Sequence, residues 1–228
     1  MRKNPEIFLK HILESIKEIE NYTVDYPYLI LEIEKLVEKE IKELGRVDVE
    51  NEKFLDEAKK KNISLLVYGN PLSATTHISL ILTCKKQKIP YKIIHAESIL
   101  TAISETGLQL YKFGKTASMP KFQKNFEPDS FLNIILDNEK IKAHTLLLTD
   151  IGLSSKEAIE QLQKTTKNRN IKLDKIIICS KTGTNESKIF YDTLDNLKKK
   201  TIKMPFCIII PSVLHHVEDE ALELLKEK

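Results

Sequence analysis

The chain has 228 residues, 41% hydrophobic and 30% charged, and its 36 Lys and Arg nearly balance its 33 Asp and Glu. The apolar fraction excludes a disordered chain, and the near-neutral balance excludes a dedicated nucleic-acid binder, which concentrates basic charge. No apolar run approaches the roughly 18 residues that a membrane-spanning helix needs.

This length suits one or two domains. Cys84, Cys179 and Cys207 are far apart and lack metal-ligand spacing. They point to a reducing compartment, and the charged start of the chain has no signal-type apolar stretch. The expectation is a soluble cytoplasmic protein.

In chain order, Phe8, Ile12, Leu13, Ile16 and Ile19 recur every three or four residues and predict a first helix. Pro27 interrupts it. Leu29, Ile33, Leu36, Val37 and Ile41 predict a second helix, and residues 52–61 a third. The pattern then changes. Residues 63–68 read as a buried strand ending in the Gly69-Asn70-Pro71 turn, with a helix through Ile78, Leu80, Ile81 and Leu82. Residues 91–94 read as a strand and 98–104 as a helix. Further strands are expected at 145–148, 175–179 and 206–210. Helices are expected from Ser154, near 190–199 and over 217–225. Ser154 and Glu157 form a capping box. Strands alternating with helices predict α/β layers with much parallel pairing. The stretch 107–120 breaks the alternation and is the expected domain junction.

Polar residues cluster at Gly69-Asn70-Pro71-Leu72-Ser73-Ala74-Thr75-Thr76-His77, between a strand and a helix. In open α/β sheets ligands bind at the carboxyl ends of strands, and helix starts attract anions. A structural turn with a capped helix explains the same residues. His95 and Ser98 form a second candidate and His144 a third. His215, His216 and Glu218 form a fourth, but adjacent histidines point apart and no further ligand is spaced for a metal. No P-loop, Gly-x-Ser-x-Gly or Cys-x-x-Cys is present.

Tyr68-Gly-Asn-Pro-Leu-Ser-Ala-Thr-Thr-His77 resembles the diphthine synthase family, a branch of the tetrapyrrole methylase-like enzymes. Ordered matches follow at Ile94–Ile99, Thr106-Gly-Leu-Gln-Leu-Tyr-Lys-Phe-Gly-Lys115, Phe126–Phe131, His144–Ile151 and Ile210–Glu218. The resemblance spans roughly residues 30–225. It implies an α/β fold with a mostly parallel N-terminal sheet and a second α/β domain. The implied domains are an atypical N-terminal helix (1–27), a cofactor-binding domain (28–111) and a C-terminal domain (112–228).

The resemblance also implies S-adenosylmethionine as cofactor, held in a cleft between the domains of a homodimer. The implied substrate is the modified histidine of the translation elongation factor, methylated on the way to diphthamide. The family's cofactor contacts fall on Asn70, Ser73, Ser98, Ile99, Thr149 and Thr182, with a further one on Phe206. No catalytic residue is implied, and no metal, nucleic acid or membrane partner.

Three departures stand out. Asn70 replaces the family's usual aspartate, so Asn70→Asp is expected to tighten cofactor binding. Phe206 replaces a frequent histidine. Residues 1–26 match neither the family's first strand nor its glycine-rich turn. They resemble instead the first helix of small HEPN-type toxin proteins over Asn4–Ile16, without the Arg-x-x-x-x-His of an RNase. The alternative reading is a catalytically impaired member that binds cofactor or elongation factor.

Overall fold

The computed structural model describes residues 20–24, 30–150 and 152–226, arranged as two compact units, Met1–Ser98 and Ile99–Lys228. In the first unit, β1 (Glu20–Val24), β2 (Ile41–Glu43) and β3 (Ile63–Val67) form a parallel sheet in the order β2-β1-β3. Around it lie α1 (Ile30–Val37), α2 (Arg46–Glu50), α3 (Phe54–Ala58) and α4 (Ile78–Gln87). Leu44, Val49, Phe54, Leu55, Leu80, Cys84 and Ile89 form its core, with Ile63 and Leu65 of β3 packed against them.

The central position of β1 corrects the expectation that residues 1–27 are helical throughout, while the family's glycine-rich turn stays absent ahead of Gly45. Tyr22 pairs with Leu65 on one side and Lys42 on the other. The sequence Glu-Asn-Tyr-Thr-Val is rich in the β-branched and aromatic residues that strands favour, and the apolar helical stripe stops at Ile19, just before it. The stripe itself, including Asn4–Ile16, lies outside the described residues.

Two further expectations change in this unit. Ile41 opens β2 instead of closing the second helix, which ends at Val37. Residues 91–94 form no strand, and Tyr91 and Ile94 are 42% and 67% exposed, so this apolar run does not mark a buried ladder.

The second unit holds a five-stranded sheet in the order β4-β5-β8-β6-β7. The strands are β4 (Ala117–Met119), β5 (Thr145–Thr149), β6 (Lys175–Ser180), β7 (Lys188–Thr193) and β8 (Phe206–Ile210). Only β4 and β5 pair in parallel; β5-β8, β8-β6 and β6-β7 are antiparallel. Its helices are α5 (Ile99–Ala102), α6 (Phe131–Lys140), α7 (Ser155–Asn168), α8 (Leu194–Leu197) and α9 (His216–Leu225). Single 3-10 turns follow α5 at Ile103–Thr106 and stand at Leu110–Lys112.

Side chains alternate across this sheet. Leu147, Ile176, Ile178, Ile208 and Ile210 join Phe131, Leu132, Ile159 and Leu162 in one cluster. Leu146, Ile177, Cys179, Cys207 and Ile209 join Ile103, Leu108 and Leu222 in another. Both faces are covered, which is why these strands read as unbroken apolar runs instead of alternating ones.

Helix α7 begins as expected. Ser154 Oγ accepts from Glu157 N, while a Glu157 carboxylate oxygen accepts from Ser154 N at 3.0 Å. The expected helix over 190–199 is instead β7 followed by the short α8. Phe190 packs on one cluster and Ile189 and Tyr191 on the other, the period-two signature of a strand.

The units divide at Ser98/Ile99, ahead of the 111/112 division read from the sequence. Ile103 and Leu108 are buried in the second unit's sheet cluster. A Cβ on Gly107 would stand 2.3 Å from Ala221 Cβ, so that glycine marks a close approach to α9 instead of a linker.

Candidate functional site

In the first unit the loop after β3 is bonded to itself and to the segment around Ala96. Asn70 Oδ1 accepts from Leu72 N at 3.0 Å, and Asn70 Nδ2 donates to Ala96 O at 3.0 Å. These two bonds fix which end of the carboxamide is nitrogen. Nδ2 also lies 3.4 Å from His95 Nδ1. Ser73 N donates to Asn70 O at 3.3 Å. Thr75 Oγ1 donates to Pro71 O at 3.2 Å and accepts from His77 N. His77 Nδ1 lies 2.9 Å from Pro71 O, so it carries the proton and donates. Thr75 and His77, read as hydrogen-bond partners for a ligand, therefore serve the loop. Ser73 and Ser98 are half-buried, and Ser98 precedes α5, which opens with the half-buried Ile99.

In the second unit three predicted positions meet at one end of the sheet. Thr149 closes β5, and its Oγ1 donates to Phe206 O at 2.8 Å. Phe206 opens β8 opposite Ser180, the last residue of β6. Lys181 N donates to Pro205 O at 2.8 Å, which brings Thr182 to the same end. The Phe206 ring is buried in the core cluster of this sheet.

The loop beyond is strapped by Glu186, which accepts from both Lys181 and Lys203. Its hydrogen bonds to Lys181 and then Lys203 hold its pKa at about 2.

His144, Lys112 and Glu218 gather at the opposite end of that sheet. His144 and Glu218 are fully buried. Ser212 N donates to His144 Nδ1 at 2.9 Å, so the ring carries its proton on Nε2 and donates to Glu218 Oε1 at 3.3 Å. Burial pushes the His144 pKa down, and Glu218 opposes that only in part. Glu218 also accepts from Gln109 N, His215 N and Lys112 Nζ. Burial alone would raise its pKa, but these bonds together hold it at about 2. The His215-His216-Glu218 run is thus a helix start, not a ligand set. His215 Nδ1 accepts from Val217 N, and the His215 and His216 ring centres lie 4.0 Å apart with the planes tilted by 44°. Among the described residues no three His, Cys, Asp or Glu stand together to hold a metal ion. Sequence reading missed this network; its signal was a His-x-x-Glu capping box beside Gln109 and Lys112.

The family profile for Tetrapyrrole (Corrin/Porphyrin) Methylases matches residues 2–198. A diphthine synthase of Methanocaldococcus jannaschii is 37% identical over 210 residues, covering 86% of this chain and 82% of the relative. One from Methanococcus maripaludis strain C6 is 36% identical over 211 residues, covering 86% and 82%. A crystal structure of diphthine synthase superimposes with a TM-score of 0.81 at 32% identity, covering 94% of this chain and 88% of that one.

The chain belongs to the diphthine synthase family of tetrapyrrole methylases.

Membership settles the fold class and supplies a methyltransferase framework. The family profile begins at residue 2, so the N-terminal residues belong to the match. β1 stands at the centre of the first sheet, but no glycine-rich turn accompanies it, since the first glycine of the chain is Gly45.

The residues present fit the family's cofactor. A Cβ added at Gly152, just past β5, or at Gly183, just past Thr182, would meet nothing within 4 Å. The backbone at these two glycines is therefore open, Gly183 directly after Thr182 and Gly152 three residues after Thr149. The Thr149 hydroxyl, having donated its proton to Phe206 O, keeps lone pairs that accept. Among the described residues no helix is long and apolar enough to cross a membrane.

Proposed function

We propose that this chain is a diphthine synthase that methylates the modified histidine of the translation elongation factor in diphthamide biosynthesis. The observation that carries this reading is the 37% identity to the M. jannaschii diphthine synthase over most of both chains. S-adenosylmethionine supplies an electrophilic methyl group on a cationic sulfonium. The chain's own part is to bind, orient and exclude water, which accounts for much of the acceleration in methyl transfer to an amine.

Ser73 and Ser98 of the first unit and Ile99, Thr149 and Thr182 of the second are the cofactor residues in this reading, and Asn70 stands beside them with its carboxamide bonded to Leu72 N and Ala96 O. Ser98 offers a hydroxyl and an amide at the start of α5. Thr149 and Thr182 offer neutral polar contacts at one end of the second sheet. The nearby Lys181 and Lys203 are drawn onto Glu186, which offsets their positive charge in the neighbourhood of a cationic cofactor. The enzyme works as a homodimer in the cytoplasm, with the elongation factor as protein partner. Sedimentation at twice the chain's mass supports the dimer; sedimentation at one chain's mass refutes it.

Calorimetric titration with S-adenosylhomocysteine, alongside a thermal melt, tests the reading. Saturable micromolar binding with a raised melting temperature is expected. No binding by a cooperatively melting protein contradicts it.

A further inference from the structure

Residues 90–98 carry no strand ladder, although they lead directly into the Ser98-Ile99 pair. The segment is largely exposed, so its backbone groups bond water or nearby side chains in place of a ladder. One of them, Ala96 O, receives the Asn70 carboxamide. The same carboxamide holds Leu72 N through its oxygen. One side chain thus joins the turn after β3 to the segment carrying Ser98, with both ends committed. Gly69, at φ +82°, has its would-be Cβ 3.5 Å from Glu97 O, so the two segments also approach through backbone.

We propose that Asn70 is a positioning residue that acts through Ser98, holding the 95–98 segment in register for the cofactor, and not a direct cofactor contact. This rests on the reading of the chain as a cofactor-binding methyltransferase. The carboxamide is the group the clamp needs. A carboxylate at the same place still accepts from Leu72 N, but it has no proton for Ala96 O and sets one oxygen against another at 3.0 Å. The loop is thus braced by a donor that an aspartate at this position would lack. The expectation that Asn70→Asp tightens cofactor binding is reversed.

The test is calorimetric titration of S-adenosylhomocysteine into the full chain, the Asn70→Asp and Ser98→Ala variants, and the double variant, each with a thermal melt. Asn70→Asp is expected to bind about five- to tenfold more weakly, the worth of one hydrogen bond. The double variant is expected to lose less than the product of the two single losses, because Asn70 acts through Ser98. Equal or tighter binding by Asn70→Asp overturns the proposal, as does a double variant whose loss equals the product. Should Asn70→Asp lose its cooperative melt, Asn70→Ala, which adds no charge, takes its place with the same outcomes. Failure of the unmodified chain to bind refutes the methyltransferase reading; failure confined to the variant comparison refutes only the clamp.

Discussion

Replacing Glu218 with glutamine should destabilise the fold, and by an amount that depends on pH. Glu218 is fully buried and accepts from Gln109 N at 3.0 Å, His215 N at 2.7 Å, His144 Nε2 at 3.3 Å and Lys112 Nζ. In Glu218→Gln, either orientation of the amide turns an N–H pair toward two of these donors and leaves Lys112 without its counter-charge. A pKa near 2 instead of 4.5 corresponds to about 3 kcal/mol of stabilisation at neutral pH. Breaking a buried pair by removing one partner costs a similar amount. The melting temperature should fall by roughly 6–12 °C. Because the folded-state pKa lies below the unfolded one, this stabilisation is complete above pH 4.5 and is lost as pH falls toward 2. The assay is urea denaturation of both proteins in steps from about pH 7 to about pH 3. The gap between them should be widest at neutral pH and close through the acid range. A variant as stable as the parent at neutral pH, or a gap that does not change with pH, refutes the reasoning.

Gly107→Ala should cost about 3 kcal/mol or more, since it adds positive-φ strain to a Cβ 2.3 Å from Ala221; urea denaturation with a midpoint unchanged contradicts it. Ser154→Ala removes the hydroxyl that caps α7 and should cost about 1 kcal/mol, read as a lower melting temperature; no shift would mean the cap is idle. By proton NMR the His144 ring should titrate below 6.5 because burial disfavours its charged form. Stability held by neutral His144 is therefore present above 6.5 and lost as pH falls through that lower value. A midpoint at or above 6.5 contradicts the assignment.

Much of the fold was legible in the sequence because both faces of the second sheet are covered. Residues 175–179 and 206–210 had to be apolar throughout, and they read as buried strands. The capping box at Ser154 announced its helix for a local reason, the need to satisfy free amides. Short or exposed elements left weaker traces. β4 has only three residues, too few for a period, and β1 follows directly on a helical stripe that drew its residues into the wrong element. The strand expected at 91–94 failed in the opposite way, because its apolar residues are exposed. At the candidate site the sequence located Asn70, Ser73 and Ser98 on adjoining segments of the first unit, and Thr149 and Thr182 at one end of the second sheet. It could not tell which polar groups are already engaged. Thr75 and His77 bond their own loop and Asn70 ties that loop to Ala96, and only the three-dimensional arrangement shows where each proton goes.

Methyl transfer to the elongation factor is the activity proposed for this chain. The direct measurement is incorporation of labelled methyl from S-adenosylmethionine into an elongation factor that carries the modified but unmethylated histidine. A factor with that histidine replaced serves as control. Label is expected in the first factor and none in the second. No label in either, from a folded enzyme that binds S-adenosylhomocysteine, or equal label in both, contradicts it.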